Sequence, residues 1–242
     1  MRIMNNHLSV RMKAVADMVS QGNKVCDVGC DHGYISIYLV QKGIAPHVLA
    51  MDINKGPLEC AKKNISVAEL ENYITTRLSD GLAAYFPGEA ATLLCAGMGG
   101  PLIQKILTDD PAKTTAFTEF VFQPQSEIPD FRRFLREQGL KIIDEDMIYE
   151  DGKYYPIMKA IPGESESEQP LLEDRYGPIL LQRKHPVLLK YLEKEWQSTV
   201  NLMQILEKAE ITPKTIARHA ELSQELIYLC QAGQICGMGG SK

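Results

Sequence analysis

Asp27-Val28-Gly29-Cys30-Asp31-His32-Gly33 is the stretch that decides the fold, because it joins two apolar segments of different length. The segment before it, 24–28, predicts a short buried strand, and the segment after it, 34–41, predicts a helix. A glycine at the end of a strand allows a tight turn and lets a ligand approach the backbone without a Cβ in the way. The next helix begins with free N–H groups, which can bind a ligand. The stretch is therefore a candidate ligand-binding loop, and the alternative is a plain strand–helix turn.

The spacing of the glycines in this loop bears on which ligand it binds. A dinucleotide-binding loop has the pattern Gly-x-Gly-x-x-Gly, and here Asp31 occupies the position of the middle glycine. A carboxylate at that position repels a pyrophosphate, whereas it favours the sulfonium and ammonium groups of S-adenosylmethionine. Asp27, Gly29, Asp31 and Gly33 therefore predict a loop that binds S-adenosylmethionine and disfavours NAD.

Short apolar segments alternate with helical ones along the first half of the chain, which predicts a parallel, doubly wound sheet. Two further β segments, near 140–149 and 154–161, are joined by the turn Glu150-Asp151-Gly152 and predict an antiparallel hairpin. A seven-stranded sheet closed in this way resembles the class I methyltransferase fold, a Rossmann-like α/β architecture. The five parallel strands are predicted at 24–28, 47–52, 74–78, 92–96 and 119–122.

Polar residues follow the second and third predicted strands, at the sheet edge where ligands of this fold class bind. Asp52 ends the second strand and either accepts both hydroxyls of a ribose or caps the following helix. Asp80 and Gly81 end the third strand, where they either contact an adenine amine or form a simple turn. Together with Ile53, these residues extend the predicted cofactor-binding set.

The methyl acceptor is expected at the ends of the fourth and fifth strands. Gly97-Met98-Gly99-Gly100 ends the fourth strand, and its glycines predict close backbone approach to a flat substrate or to the cofactor, or a flexible turn. Gln123-Pro124-Gln125 ends the fifth, and glutamine offers the donor and acceptor that the Watson–Crick edge of a base needs. We predict that Gln123 contacts the base edge and that Met98 and Gly99 form the wall near the methyl group.

The composition is that of a soluble globular protein, with 242 residues, of which 45% are hydrophobic and 24% charged. No stretch approaches the roughly 18 apolar residues of a membrane span, so we expect no membrane association. The six cysteines lack zinc-like CxxC pairing, which predicts no bound metal and reduced thiols in the cytoplasm. The net charge of −5 is unusual for a protein that binds nucleic acid.

Charge is distributed unevenly towards the end of the chain. Residues 163–174 contain five acidic residues and no basic one, which predicts an acidic linker. From Arg175 to Arg218 the sequence has eight lysines and arginines against four glutamates. The chain is therefore predicted to contain a cofactor-binding domain (1–162), the linker, and a basic helical hairpin (175–236).

The hairpin is predicted from its periodicity. Thr212-Pro213 combines an N-cap with proline at the first helical position and so starts a second helix. Apolar spacings of three and four on either side predict a coiled-coil seam between antiparallel helices. The seam can be satisfied within one chain or between two, so a monomer and a weak dimer both stay open. The predicted seam residues are Leu189, Leu192, Trp196, Thr199, Met203 and Leu206, with Ile216, Ala220, Ser223, Ile227 and Cys230.

With these motifs in view, the chain resembles the bacterial tRNA (adenine-22-N1)-methyltransferase family, TrmK. The resemblance rests on 8–12, 27–34, 97–100, 122–125 and the terminal hairpin, and it covers nearly the whole chain. It implies methyl transfer from S-adenosylmethionine to N1 of an adenine in the D-arm of tRNA. It also implies that the hairpin helps to hold the tRNA.

Since the resemblance implies a tRNA substrate, basic side chains are the candidate contacts to its phosphates. Arg11 lies in a family-like block and reaches either the cofactor carboxylate or a phosphate, or it is a solvated helix residue. Basic residues on an exposed helix are also the ordinary composition of a solvated face. The predicted tRNA contacts on the hairpin are Arg175, Arg183, Lys184, Lys190 and Lys194.

The implied reaction asks little of a catalytic side chain. Neutral adenine N1 carries an in-plane lone pair and attacks the methyl group without losing a proton first, so alignment and exclusion of water matter most. We expect the base to swing out of the RNA and Asp31 or His32 to take a polar role near the amine. Two alternatives remain: a methyltransferase of a small molecule, which the net charge favours, and a non-catalytic S-adenosylmethionine-binding module that joins a partner.

Overall fold

The computed structural model describes residues 8–167, 169–208 and 210–238, and the chain divides into two units, Met1–Glu166 and Ser167–Lys242. Within the described residues, strands occur in the first unit and helices in both. The strands are β1 (Val25–Val28), β2 (Val48–Asp52), β3 (Ile74–Leu78), β4 (Thr92–Met98), β5 (Glu119–Pro124), β6 (Leu140–Glu150) and β7 (Lys153–Pro162). The helices of the first unit are α1 (Val10–Asp17), α2 (Tyr34–Gln41), α3 (Lys55–Val67), α4 (Gly100–Asp109), α5 (Pro111–Thr114) and α6 (Ile128–Glu137).

The strands form one sheet in the order β3-β2-β1-β4-β5-β7-β6. Neighbouring strands from β3 to β5 pair in parallel, whereas β7 is antiparallel to both β5 and β6. The predicted α/β class, with seven strands and a closing antiparallel hairpin, is confirmed. It is the architecture of class I methyltransferases.

The central strands are apolar along their whole length because both faces of the sheet are covered. Alternate residues of β1 enter different cores: Cys26 packs on one face, and Val25 packs on the other. Leu93 and Leu94 of β4 divide in the same way. This double burial explains why the sequence shows unbroken apolar segments here rather than alternating ones.

The position of the binding edge follows from the strand order. The chain enters the sheet at β1, moves outwards through β2 and β3, and returns to the other side of β1 at β4. The loops after β1 and β4 therefore leave the sheet side by side at its carboxyl edge, where the order reverses. In open α/β sheets this reversal is the point at which ligands bind.

The second unit is helical in its described part, with α7 (Pro170–Tyr176), α8 (Pro178–Gln182), α9 (Pro186–Leu206) and α10 (Pro213–Cys236). The two long helices pack on each other, as the hairpin prediction requires. Thr212 caps α10 by accepting a hydrogen bond from the Thr215 amide at 3.2 Å, and Pro213 follows it. Helix α7 begins inside the segment that the sequence assigns to the acidic linker.

The predicted seam is only partly buried. Only Leu192 and Thr199 of the predicted set are buried, while Trp196, Ile216 and Ile227 are exposed by 39%, 60% and 49%. The reason is that α10 packs against α7 and α8 as well as α9, so its apolar face is not that of a two-helix seam. The buried residues of the two long helices are Leu188, Leu192, Thr199, Leu222, Leu229, Ala232, Gly233 and Cys236.

Candidate functional site

A cleft of about 490 Å³ opens at the carboxyl edge of the sheet. The loops after β1, β2, β3 and β4 line it, together with the start of α1 and Gln125 after β5. Most residues that the sequence selected therefore meet in one place. Those that line the cleft are Arg11, Asp27, Gly29, Asp31, His32, Asp52, Ile53, Asp80, Gly81, Gly97 and Met98.

The loop after β1 turns through three residues with positive φ: Gly29 at +74°, Asp31 at +50° and Gly33 at +74°. The Gly29 and Cys30 amides donate to the Met51 carbonyl at 2.8 and 3.0 Å, which fixes the loop to β2. Asp31, a non-glycine residue in left-handed backbone, faces solvent at the rim of the cleft. A carboxylate is thus presented where a pyrophosphate-binding loop has glycine.

The two predicted glycines of this loop have different neighbours. A Cβ on Gly29 would lie 3.3 Å from the Cε atom of Met98, so the absence of a side chain lets Met98 lie against the loop. A Cβ on Gly33 would lie 3.2 Å from the Cβ of Ala61 in α3. Gly33 is buried between helices and does not line the cleft, so its local contribution is helix packing.

Asp52 ties the first two loops together. Its Oδ2 atom accepts the Asp31 amide at 3.1 Å, and its Oδ1 atom accepts the Asn54 amide at 2.8 Å. Helix α3 has Asn54, and not Asp52, as its N-cap residue, so the capping alternative does not describe this carboxylate. Because a carboxylate has about four acceptor positions, Asp52 keeps capacity for hydroxyl donors in the cleft.

Asp27 lies deeper than the other carboxylates and is only 2% exposed. Burial raises its pKa to about 6, the Ser36 hydroxyl that donates to it at 2.6 Å opposes this rise, and the nearby Asp52 charge adds to it. Its ionisation is therefore sensitive to pH near neutrality. A bound cation beside it would favour the ionised form.

The rim beside this loop is polar and partly aromatic. His32 Nε2 lies 3.6 Å from Asp31 Oδ1, and the His32 ring is 5.8 Å from the Tyr34 ring between centroids. Asn64 donates to the His32 carbonyl at 2.9 Å. His32 is half exposed, so it is available to a ligand that enters the cleft.

The turn after β3 is held by its own hydrogen bonds. Ser79 donates from its amide to the Asp52 carbonyl at 2.9 Å and from its hydroxyl to the Gly81 carbonyl at 2.8 Å. A Cβ on Gly81 would lie 3.2 Å from Ile106 of α4, so the turn packs closely on that helix. Asp80 is exposed at the cleft, two strands away from Asp27.

Gly97, near the end of β4, and Gly100, at the start of α4, have different neighbours. Gly97 has a φ of +79° and is exposed, and a Cβ there would lie 3.8 Å from Gln125 Nε2 and 3.9 Å from Arg11 Nη1. A Cβ on Gly100 would lie 2.6 Å from the Ser126 carbonyl oxygen, which is backbone and cannot move aside. Gly97 leaves space in the cleft, whereas Gly100 permits α4 to pack on the loop after β5.

Arg11 is fixed in the cleft by residues distant in sequence. Its Nη1 atom donates to Gln123 Oε1 at 2.6 Å, and its Nε atom lies 3.8 Å from Glu150 Oε2. The Arg11 guanidinium also lies 5.0 Å from the centre of the Tyr155 ring, a cation–π arrangement. Of the predicted alternatives, a freely solvated arginine is excluded.

Gln123 does not face the cleft, which corrects its predicted contact with the base edge. It is fully buried, its Oε1 atom accepts from Arg11, and its Nε2 atom donates to the Pro124 carbonyl at 3.0 Å. Gln125, two residues later, is exposed and lines the cleft. The sequence therefore identified the Gln-x-Gln motif but not which glutamine faces the cleft. The contact with Arg11 places Gln123 in the interior and leaves Gln125 at the cleft.

The predicted tRNA contacts belong to the second unit. Arg175 pairs with Glu225 at 2.6 Å and lies 4.4 Å from the centre of the Tyr228 ring, so it holds helices together. The other four predicted residues are on the surface: Arg183, Lys184, Lys190 and Lys194.

The part of the chain that the structure describes has neither a metal-binding cluster nor a membrane-spanning helix. Its His, Cys, Asp and Glu side chains form no group of three or more that could hold a metal ion. Among these same residues, every helix is too short or too polar to cross a membrane.

Comparison with known proteins identifies a methyltransferase family for this chain. The family profile described as "Methyltransferase domain" matches residues 8–158. The tRNA (adenine(22)-N(1))-methyltransferase of Bacillus subtilis (strain 168) is 31% identical over 226 residues, covering 92% of this chain and 95% of the relative.

Solved structures agree over almost the whole chain. Streptococcus pneumoniae Sp1610 in complex with S-adenosyl-L-methionine has a TM-score of 0.82 at 29% identity, covering 93% of this chain and 99% of that one. M. capricolum TrmK in complex with S-adenosyl-homocysteine has a TM-score of 0.81 at 25% identity, covering 95% and 99%. Both carry the cofactor or its product.

Proposed function

The chain belongs to the family of tRNA (adenine(22)-N(1))-methyltransferases, and from this premise we propose that its cleft aligns S-adenosylmethionine with N1 of an adenine in tRNA. The family that the motifs predicted is confirmed, and with it an S-adenosylmethionine-dependent tRNA methyltransferase activity. The observation that carries the assignment to this cleft is the convergence of Asp27, Asp31 and Asp52 in it.

The residues of the cleft fit S-adenosylmethionine in charge and in space. Carboxylates at the end of β1 suit the sulfonium and ammonium groups and oppose a pyrophosphate, which disfavours NAD. Asp52 has acceptor capacity for two ribose hydroxyls beyond the two amides that it holds. The space left by the missing side chain of Gly97 is open to the methionine part.

We assign roles along the cleft from this fit. Asp52 holds the ribose, and Ile53, Asp80 and Gly81 surround the adenine of the cofactor. Asp27 and Asp31 lie towards the positively charged part. Their roles are supported by the order of the strands, because the loops after β1, β2 and β3 are successive neighbours along one edge.

Arg11 and the loop after β1 complete the binding of the methionine part in this proposal. Arg11 is held towards Gly97 by Gln123 and Glu150, and we assign it to the cofactor carboxylate. A guanidinium matches a carboxylate in charge and in its paired donors. Asp31 and His32 are assigned to the polar surroundings of the ammonium group.

The chemistry requires alignment more than proton transfer. When bound, S-adenosylmethionine supplies a methyl group carried on positively charged sulfur. Adenine N1 forms a bond to the methyl carbon as the carbon–sulfur bond breaks, and the positive charge passes to the base. Met98, lying against Gly29, forms an apolar wall beside this path and helps to exclude water. The carboxylates in the cleft offset positive charge both before and after transfer.

We propose that the second unit docks the tRNA, and that its helices from Pro170 onwards act together as one binding domain. Arg183, Lys184, Lys190 and Lys194 supply positive charge on its surface, which attracts the phosphate backbone without selecting a sequence. Arg175 is left out of this surface, because Glu225 already binds it. The negative net charge of the whole chain does not oppose this, since charge is distributed unevenly.

We place the protein in the cytoplasm, as a monomer or weak dimer. The cytoplasmic location is supported by its six free cysteines, which suit a reducing compartment. The state of association is supported by the packing of α9 on α10 within one chain, which does not require a second chain.

The function is tested by incubating the protein with labelled S-adenosylmethionine and unmodified total tRNA, followed by nucleoside analysis. We expect the label in 1-methyladenosine. Label only in small molecules would favour the small-molecule alternative. Cofactor binding without transfer to any RNA would favour a non-catalytic binding module.

A further inference from the structure

The nucleophile restricts how the enzyme can recognise its base, and this inference rests on the proposed function. Adenine exposes N1 and the N6 amine on its Watson–Crick edge, and N7 with the same amine on its Hoogsteen edge. N1 must keep its lone pair for the methyl group, so a donor that bonds N1 would block the reaction. A side chain that recognises the bound adenine is therefore best used on N6 and N7.

A glutamine amide matches that edge, because its oxygen accepts from N6 while its nitrogen donates to N7. Gln125 is exposed, lines the cleft and follows β5, at the part of the sheet edge where we expect the methyl-accepting base. Its Nε2 atom lies 3.8 Å from the position that a Cβ on Gly97 would take. The side-chain amide thus lies beside Gly97, next to the space that we assign to the methionine part of the cofactor.

The backbone of Gln125 is fixed beside the end of β4. The backbone N–H of Gln125 donates to the Met98 carbonyl at 2.9 Å. This bond ties Gln125 to β4, whose end forms the proposed wall near the methyl group. Gln123 is not available, because its amide bonds Arg11 and the Pro124 carbonyl in the interior. Arg11 has only donors and cannot accept from the N6 amine.

We propose that Gln125 is the residue that selects adenine, by binding the Hoogsteen edge of the target base through its amide. Its Oε1 atom accepts from the N6 amine, and its Nε2 atom donates to N7. Guanine presents two acceptors, O6 and N7, on the same edge and leaves Oε1 without a donor. N1 of the adenine stays free for the methyl group.

The test combines a protein variant with a change of one substrate atom. A synthetic tRNA carries 7-deazaadenosine at the target position, which removes the N7 acceptor and keeps N1 and N6. Initial methylation rates are measured for wild type and Gln125→Ala on this tRNA and on the ordinary one. Gln21→Ala is the matched control, because Gln21 is an exposed glutamine before β1, at the opposite edge of the sheet.

We expect kcat/KM of wild type to fall about tenfold on the 7-deaza tRNA, as one bond to the base is lost. On ordinary tRNA, kcat/KM of Gln125→Ala should be about tenfold to a hundredfold lower than that of wild type. Replacing the ordinary tRNA with the 7-deaza tRNA should lower kcat/KM of this variant little further. Gln21→Ala should behave as wild type. Calorimetry with S-adenosylmethionine establishes that Gln125→Ala is folded and binds the cofactor.

The effect of the 7-deaza ring on the reactivity of N1 itself is common to both proteins, so it cancels when the fall in rate of wild type is compared with that of Gln125→Ala. An equal fall on the 7-deaza tRNA in wild type and Gln125→Ala would overturn the inference, as would no fall in wild type. Absence of 1-methyladenosine in wild type on ordinary tRNA would instead defeat the proposed function, and this inference with it.

Discussion

At the scale of single residues, three carboxylates meet in the cleft in three different environments. Asp27 is buried against the Ser36 hydroxyl, and Asp52 holds two backbone N–H groups. Asp31 stands in left-handed backbone at the rim. All three carboxyl groups lie near the place where a cationic cofactor is expected, and their negative charges oppose a phosphate when they are ionised. Three predictions follow, one from Asp52 and two from Asp27.

Asp52→Asn should weaken S-adenosylmethionine binding about tenfold or more. The substitution removes the charge and replaces one acceptor oxygen with a donor that opposes the Asp31 or Asn54 amide. Calorimetric titration with the cofactor measures the dissociation constant. Asp109→Asn is the control, because Asp109 is an exposed carboxylate on α4 that pairs with Lys105. Equal affinities of wild type and Asp52→Asn would contradict the ribose assignment.

The raised pKa of Asp27 predicts that cofactor affinity depends on pH. Below about pH 6 its carboxyl group is protonated in the free protein, so the charge beside the cationic ligand is lost. Affinity for S-adenosylmethionine should fall up to about tenfold per pH unit there. Titrations across this range with wild type and Asp27→Asn measure the effect. If both proteins changed affinity in parallel, Asp27 would not be the group responsible.

Stability of the ligand-free protein should change in the opposite direction. Because burial raises the Asp27 pKa from 3.8 to about 6, the folded state keeps a proton that the unfolded chain releases. The stabilisation is fully present below about pH 4 and is lost as the pH rises through 6, by on the order of 3 kcal/mol. Denaturant titrations compare wild type with Asp27→Asn, in which this pH-dependent difference should vanish.

Sequence position predicted several site residues well and failed where side-chain direction mattered. Asp31, Asp52 and Asp80 were identified because they end strands of one parallel sheet, and the cleft includes all three. Gln123 was predicted in place of Gln125, but the motif does not distinguish the two glutamines, and in the structure the bond from Arg11 shows that Gln123 is the buried one. That contact joins residues 112 apart in sequence, and no local pattern encodes it.

At the scale of elements, the glycines where β4 passes into α4 have different roles. Gly97 leaves space in the cleft, whereas Gly100 lies against the loop after β5, which carries Gln125. The close approach of the two loops sets the distance between the wall near the methyl group and the proposed base-binding amide. Packing at Gly100 is therefore a condition for the geometry of the site.

Gly100→Ala should destabilise the protein by about 1 to 3 kcal/mol, because its Cβ would meet the Ser126 carbonyl at 2.6 Å. Gly56→Ala is the matched control: Gly56 is also near the start of a helix, α3, and a Cβ there meets nothing within 4 Å. That control should be neutral or stabilised by up to about 1 kcal/mol. Thermal unfolding compares them, and equal Tm values would contradict the packing argument.

Strands and helices were predictable to different extents. The seven strands appear where apolar segments and turns indicated them, and the signal is strongest for β1, β2, β4 and β5, whose residues are buried on both faces of the sheet. Helices α7 and α8 are short, start at Pro170 and Pro178, and lie in or beside an acidic segment that resembled a linker. Both helices pack on α10, so the buried face of α10 includes Leu229 and not the predicted Ile227.

At the scale of the whole molecule, the chain combines a unit that contains the sheet and the cleft with a helical unit. The fold of the first agrees with the methyltransferase family over residues 8–158. The helical unit lies outside that match and carries the surface that we assign to tRNA. Binding of the cofactor and binding of tRNA should therefore respond to different substitutions.

Charge reversal of Lys184 and Lys190 to glutamate should weaken tRNA binding about tenfold or more and leave S-adenosylmethionine affinity unchanged. The slope of tRNA affinity against salt should also decrease, because fewer counterions are released. Lys208→Glu, an exposed lysine at the turn of the same unit, is the control. Filter binding at several salt concentrations measures the effect, and an unchanged slope would place the tRNA surface elsewhere.

The central claim is that the cleft transfers a methyl group to N1 of adenine 22 in tRNA, as in the Bacillus subtilis relative. Primer extension tests it directly, because a methyl group on N1 blocks Watson–Crick pairing and arrests reverse transcriptase. Unmodified tRNA is incubated with S-adenosylmethionine and either wild type or Asp52→Asn. We predict an arrest at adenine 22 with wild type that is much weaker with the variant. Read-through past adenine 22 after complete reaction with wild type would contradict the account.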